Sequence, residues 1–230
     1  MPLSFINGKT LLFIHIPKTG GSSVDQYLMD KGEMGFFSKD VLPGMAVTPQ
    51  HLTWRTLNAM LPRSLWDHAF AVLRDPLDRL ASEFRMRLSD ANPKLSRSRI
   101  LKGHLRSKIR GGTPQSVLLG GSAYSVDFNT WVELALEKCK KDPNLHDNHF
   151  RPQSEFVGEG CRLFRFEDGL NKVFDWIDEI TGTPSIERTH LKKGQSTDLN
   201  ISDQTRRLVK DFYKDDYALI QKSKVDMVGA

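Results

Sequence analysis

The stretch LLFIHIPKTGGSS, residues 11–23, decides the fold. Its first six residues form a nearly unbroken apolar run, the pattern of a strand buried on both faces in a parallel sheet. Pro17 ends the run. Beyond two glycines, Val24, Tyr27 and Leu28 recur at helical spacing, and Gly32 supplies a stop. The order is therefore strand, glycine loop, helix. Gly20 and Gly21 let the backbone come close to a ligand, and the start of the helix offers N–H groups and a positive dipole end. Lys18 adds a point charge, and Thr19, Ser22 and Ser23 add hydroxyls. Together they make a cradle for an anion the size of a phosphate. The order G-x-x-x-x-G-K-[ST] is absent, because the lysine precedes the glycines instead of following them. An ordinary strand–turn–helix with a surface lysine is the competing reading.

Outward from this stretch the same order repeats. AFAVL, residues 69–73, reads as a second strand, and Asp75-Pro76 opens a helix with Leu77, Leu80, Ala81, Phe84 and Leu88 on its buried face. Arg74 stands just past that strand, as Lys18 does past the first. Asp127 is placed to cap a helix bearing Phe128, Trp131, Val132, Ala135 and Cys139. Residues 163–166 read as a third strand, leading through Glu167-Asp168 to a helix with Leu170, Val173, Phe174 and Ile177. Ser202 is placed to cap a last helix with Leu208, Val209, Phe212 and Tyr213 inward. Strands alternating with helices predict an α/β fold, one domain over residues 1–230, with a central, mainly parallel sheet flanked by helices. In such sheets ligands sit at the carboxyl ends of strands, where Lys18 and Arg74 both fall.

Composition narrows the function classes. The 230 residues have no apolar stretch long enough to span a bilayer; the run at 11–16 is too short for a membrane helix and no small-residue cleavage site follows it, so no signal peptide is expected. Cys139 and Cys161 make no metal-ligand pattern, so free thiols in a reducing cytoplasm are the plain expectation, with one bridge between them as the alternative. The net charge is +5, but residues 91–126 carry seven basic side chains, Arg97, Arg99 and Arg106 among them, and no acid. That stretch attracts anions. It holds one aromatic, Tyr124, so it lacks the stacking platforms of a nucleic-acid surface. Residues 90–126 read as a basic, loop-rich insertion, marked by Gly111-Gly112 and Gly120-Gly121; a solvated loop competes with a role at an acceptor site.

FIHIPKTGGSS resembles the 5′-phosphosulfate loop of sulfotransferases that use 3′-phosphoadenosine 5′-phosphosulfate (PAPS). It is most similar to the carbohydrate branch, which includes the heparan-sulfate 2-O and 6-O enzymes and bacterial relatives. The resemblance implies that Lys18 contacts the 5′-phosphate and bridging oxygen, with Thr19, Gly20, Gly21, Ser22 and Ser23 cradling the phosphate. AVLRDPLDRLASEF, residues 71–84, resembles the 3′-phosphate signature of the same family, which implies Arg74 and Ser82 as its ligands; a salt-bridged turn and an exposed serine are the plainer reading. LFRFEDGLNKVFDWI and RRLVKDFYKDDYALI resemble family segments that are mainly structural. HLKKGQST, residues 190–197, sits where the family has a loop closing over the nucleotide, which implies Lys192, Lys193 and Gly194 as PAPS contacts; a plain surface loop is the alternative.

Sulfuryl transfer needs in-line attack by a hydroxyl, a base for its proton, and compensation for charge on the departing phosphate. Histidine suits the base. PQHLTW, residues 49–54, resembles the His-x-x-Trp stretch carrying the catalytic histidine of the 6-O enzymes, which implies His51 as base and Trp54 as a wall of the acceptor site; a helix-start histidine beside a core tryptophan is the alternative. His15, in the first strand, is the second candidate. DNHFRPQSEF, residues 147–156, resembles a segment near the acceptor cleft, which implies His149, Arg151 and Gln153 as contacts. The expected reaction moves the sulfuryl group of PAPS to a hydroxyl, on a carbohydrate by resemblance, leaves 3′-phosphoadenosine 5′-phosphate (PAP), and requires no metal. A kinase-like phosphotransferase and a non-catalytic PAPS- or glycan-binding module are the alternatives. Oligomeric state is not readable.

Overall fold

The computed structural model describes residues 2–89, 113–188 and 199–226. They fall into two compact units, Met1–Arg74 with Pro152–Lys193 and Asp215–Ala230, and Asp75–Arg151 with Gly194–Lys214.

The first unit is built on a five-stranded sheet of β1 (Leu3–Ile6), β2 (Lys9–Ile14), β3 (Glu33–Gly35), β4 (His68–Leu73) and β7 (Cys161–Arg165), in the spatial order β3-β1-β2-β4-β7. The strand at 11–16 is β2, and the strand at 69–73 is β4. They run parallel with Leu12 opposite Ala69, and β4 runs parallel to β7 with Ala71 opposite Leu163. Beyond β2 the sheet turns antiparallel through β1 and β3. This edge was not anticipated, although its signal is present: Asn7-Gly8 forms a two-residue hairpin turn, with φ of 47° and 74°.

The central strands are continuously apolar because both faces of the sheet are covered. On one face Val24 and Leu28 of α1 (Gly21–Lys31) and Val173, Phe174 and Ile177 of α5 (Asn171–Thr181) cover Leu11, Phe13, Phe70 and Val72. On the other, Leu57 of α2 (Trp54–Met60), Leu52, Trp66, Phe156 and Ile220 of α7 (Lys214–Asp226) cover Leu12, Ile14, Ala69, Ala71 and Leu73. Each fully buried side chain of this size is worth about 1.5–3 kcal/mol of transfer free energy, so the pattern fixes strand register.

The second unit holds α3 (Pro76–Ser89), the hairpin β5 (Gln115–Leu119) and β6 (Ser122–Val126), α4 (Phe128–Lys141) and α6 (Asp203–Phe212). Its core is an aromatic group in which Phe84 and Phe150 each meet Trp131, at ring-centroid distances of 5.2 and 5.4 Å. Caps begin the helices as expected: Asp75 Oδ1 accepts from Leu77 N, Asp127 from Thr130 N and Ser202 from Thr205 N.

Two elements differ from the sequence reading. Gly120-Gly121 is the tight turn of β5–β6, at φ of 58° and 69°, because residues 115–126 pair as a hairpin whose one face carries the buried Val117, Leu119 and Val126. The last helix is two, α6 and α7, broken at Tyr213, whose ring is buried. Cys139 and Cys161 are not joined by a disulfide. Among the described residues no helix is long and apolar enough to cross a membrane.

Candidate active site

β2 ends at Ile14, and the chain then turns tightly into α1. Thr19 Oγ1 donates to Ile16 O at 2.9 Å, Lys18 sits in the left-handed region at φ 69°, and Gly20 is left-handed at φ 89°. A lysine there costs roughly 1–2 kcal/mol, a strain that loops at functional sites commonly store. Among the described residues no side chain caps the start of α1 and its first turn has no acid, so the helix dipole there favours an anion, while Ser23 N donates to Gly20 O at 3.0 Å. The proton of the Thr19 hydroxyl is spent on the backbone, so this side chain braces the loop. Ser22 is half-buried and Ser23 is buried.

Arg74 follows β4, next to β2 in the sheet, so it reaches the same end. Its Nη1 donates to Lys18 O at 3.1 Å, and its guanidinium lies 4.4 Å from the centroid of Phe166, just past β7. Gly20 packs on that ring too: a Cβ there would meet Phe166 at 3.0 Å. One aromatic ring thus lies against both the loop glycine and the arginine. Gln153 fixes the main chain of Arg74 from the other side. It accepts from Arg74 N at 2.9 Å, donates to Arg74 O at 2.8 Å, and is fully buried beside Asp216 of α7, whose Oδ2 takes Gln153 N at 2.9 Å. The expectation of Gln153 as an acceptor contact meets a different geometry, because both amide atoms are engaged with the arginine backbone.

His51 lies in the short 3₁₀ turn Pro49–His51 and is 8% exposed. Its ring stands edge-on to His15, with centroids 5.1 Å apart. His15 Nδ1 is 3.0 Å from Asp25 Oδ2 of α1 and 2.6 Å from Gln50 Nε2, which also donates to that carboxylate at 3.0 Å. Nε2 of His15 faces Gly21, where a Cβ would stand only 2.1 Å away. Both candidate histidines therefore belong to one buried cluster beside the glycine loop. Trp54 is half-buried, flat against Gly158 and edge-on to Trp66 at 6.2 Å, which is the contact set of a packing residue.

The remaining predicted residues lie in the second unit or outside the described residues. Ser82 is half-buried on α3. His149 Nδ1 is held at 2.7 Å by Glu83 Oε2, whose other oxygen accepts from Arg87. Arg151 donates to the side-chain oxygens of Asn148 and Asn144, both at 3.0 Å, across a turn where His146, Asp147 and Asn148 are all left-handed. His146 Nε2 accepts from Gly120 N, and burial, aided by Arg87, lowers its pKa to about 4, so this ring is neutral. Lys192, Lys193 and Gly194, and Arg97, Arg99 and Arg106 of the basic stretch, lie outside the described residues. Sequence reasoning missed Phe166, Asp25 and Gln50 as site residues; the only signal was the nearness of Phe166 to a strand end and of Gln50 to His51.

Set beside known proteins, the chain matches the family model described as sulfotransferase family over residues 5–221. No curated protein and no solved structure matches it. The matched span takes in the glycine loop, Arg74 and the turn of His51, and with it the chain belongs to the sulfotransferase family, enzymes of sulfuryl transfer.

Proposed function

We propose that this enzyme transfers the sulfuryl group of PAPS to a hydroxyl of a carbohydrate, in line, with His51 as general base. The observation that supports the reading is the hydrogen bond from Arg74 Nη1 to Lys18 O, which ties the residue after β4 to the glycine loop ahead of α1. A donor with phosphates at both ends of one nucleoside needs such a pair. Lys18, with the backbone of Gly20 and Gly21 and the hydroxyls of Ser22 and Ser23, receives the 5′ phosphosulfate end. Arg74 grips the 3′-phosphate bidentately, with Ser82 as a second donor and Lys192, Lys193 and Gly194 as a late loop over the nucleotide. The acceptor oxygen forms a bond to sulfur as the bond from sulfur to the 5′-phosphate oxygen breaks. His51 takes the hydroxyl proton, Lys18 offsets the charge gathering on the phosphate, and PAP leaves. Trp54, His149 and Arg151 are proposed on the acceptor side from sequence resemblance; the contacts of Gln153 support a role in holding Arg74. The cytoplasm is the proposed compartment.

Calorimetric titration of PAP with EDTA present tests the donor site. Tight metal-free binding is expected, lost in Arg74→Ala and weakened about tenfold in Lys18→Ala, the equivalent of about 1.4 kcal/mol. No binding to folded wild type removes PAPS as the donor. Transfer of labelled sulfate from PAPS to desulfated heparin, with and without EDTA, tests the acceptor class and separates this reading from a metal-dependent phosphotransferase. His51→Ala is expected to abolish transfer while keeping PAP affinity; unchanged turnover moves the base elsewhere.

A further inference from the structure

His15, Asp25 and Gln50 come from three separate elements, the end of β2, the second turn of α1 and the 3₁₀ turn, and are 5%, 2% and 7% exposed. Their polar atoms close a triangle. Among the described residues Asp25 Oδ1 is buried without a hydrogen-bond partner, so the arrangement carries an unrecovered desolvation cost. Apolar side chains of the same volume would fill the space without that cost. Stability therefore does not explain the triangle, and its connections do.

Gln50 precedes His51 in the chain, and its amide ties their turn both to α1 through Asp25 and to the end of β2 through His15. The ring of His15, held at Nδ1, stands edge-on against the ring of His51 and turns its Nε2 toward Gly21 at the start of α1. One imidazole thus touches the glycine loop on one side and the histidine of the turn on the other. We propose that the triangle of Asp25, His15 and Gln50 is a positioning device that fixes the ring of His51 relative to the donor loop. The three are positioning residues, and the proposal rests on the reading of His51 as the base. Its function is geometric: a base displaced by about 1 Å from the acceptor proton costs on the order of a hundredfold in rate.

The test compares wild type with Asp25→Asn and Gln50→Met, two substitutions that keep side-chain volume. Histidine-ring ¹⁵N spectra of the ligand-free proteins, PAP affinity by calorimetry, and PAP release from PAPS with desulfated heparin are measured on each. In both variants the His51 signals are expected to shift and broaden, kcat to fall at least tenfold, and both the PAP dissociation constant and the PAPS KM to stay within about twofold. Unmoved His51 signals overturn the proposal, and so does unchanged kcat with moved signals. A tenfold loss of PAP affinity in both variants also overturns it, because the triangle then serves the donor cradle. Wild type that binds no PAP sinks the donor reading alone; the His51 spectra then still decide whether the triangle fixes the ring.

Discussion

A single methyl group on Gly21 would stand 2.1 Å from Nε2 of His15, a ring itself locked by Asp25 and Gln50. Gly21→Ala is therefore expected to cost about 3 kcal/mol in urea unfolding, as overpacking against a buried ring does, and to weaken PAP binding through the displaced loop. Phe166 allows a gentler probe. Its ring carries Gly20 and the Arg74 guanidinium, so Phe166→Ala is expected to lower PAP affinity at least tenfold in calorimetry, and Phe166→Leu by less, since Leu restores the surface under Gly20 but not the stacking. The placement of Lys18 and Arg74 at one end of the sheet was legible in the sequence, because a charged residue just past an apolar strand has a position as well as a type. Phe166, Asp25 and Gln50 were not, because their roles exist only through partners distant in sequence: Gln50 meets Asp25 only once the 3₁₀ turn has folded back on α1. Gln153 misled for the same reason, a polar residue in a loop whose amide closes on the backbone of Arg74.

α1 and α5 lie on the same face of the sheet, and a polar cluster binds them. Asp178 accepts from Tyr27 Oη at 2.6 Å and pairs with Lys31, while Arg188 approaches its other oxygen. Burial by itself would raise the pKa of Asp178, but the hydrogen bonds from Lys31 and Tyr27 outweigh it and hold the carboxyl below its usual 3.8. A carboxylate with a depressed folded pKa contributes stability that is whole above the unfolded value and is lost as pH falls through the folded one. The stability gap between wild type and Asp178→Asn, read by urea unfolding, should hold steady from about pH 7 to 5 and close as pH falls below about 4. The caps make a simpler prediction: Asp127→Ala and Ser202→Ala should each cost about 1 kcal/mol in the same measurement. Elements were legible where apolar periodicity was strong, as in β2, β4 and α4. They were missed where pairing or a local break decides the outcome. β1 is held by hydrogen bonds to β2, and the division of α6 from α7 at Tyr213 leaves the hydrophobic pattern intact across the break.

At the scale of the molecule, charge and fold are unevenly matched. Residues 91–126 carry seven of the basic side chains and no acid, and the rest of the chain sums to −2. We expect the triple reversal of Arg97, Arg99 and Arg106 to Glu to raise the KM for an anionic glycan at least tenfold, with PAPS KM unchanged; equal effects on both would remove the acceptor role of this stretch. The α/β class was readable from the alternation of strands and helices, since parallel strands covered on both faces leave unbroken apolar runs. The antiparallel edge and the division into two units were not, because both depend on pairings that span the chain. The same sheet sets the order in which the protein can be made. β4 pairs with β2 at a separation of about 60 residues and with β7 at about 90, and the helix that covers Ala69 and Leu73 comes from the last part of the chain. During synthesis the β1–β2 hairpin and α1 can form early, but β4 keeps one open edge until β7 has emerged, and the core on its second face closes only with Ile220. A ribosome stalled before residue 161 would hold a chain with the glycine loop present and Phe166, the ring against Gly20 and Arg74, still unmade.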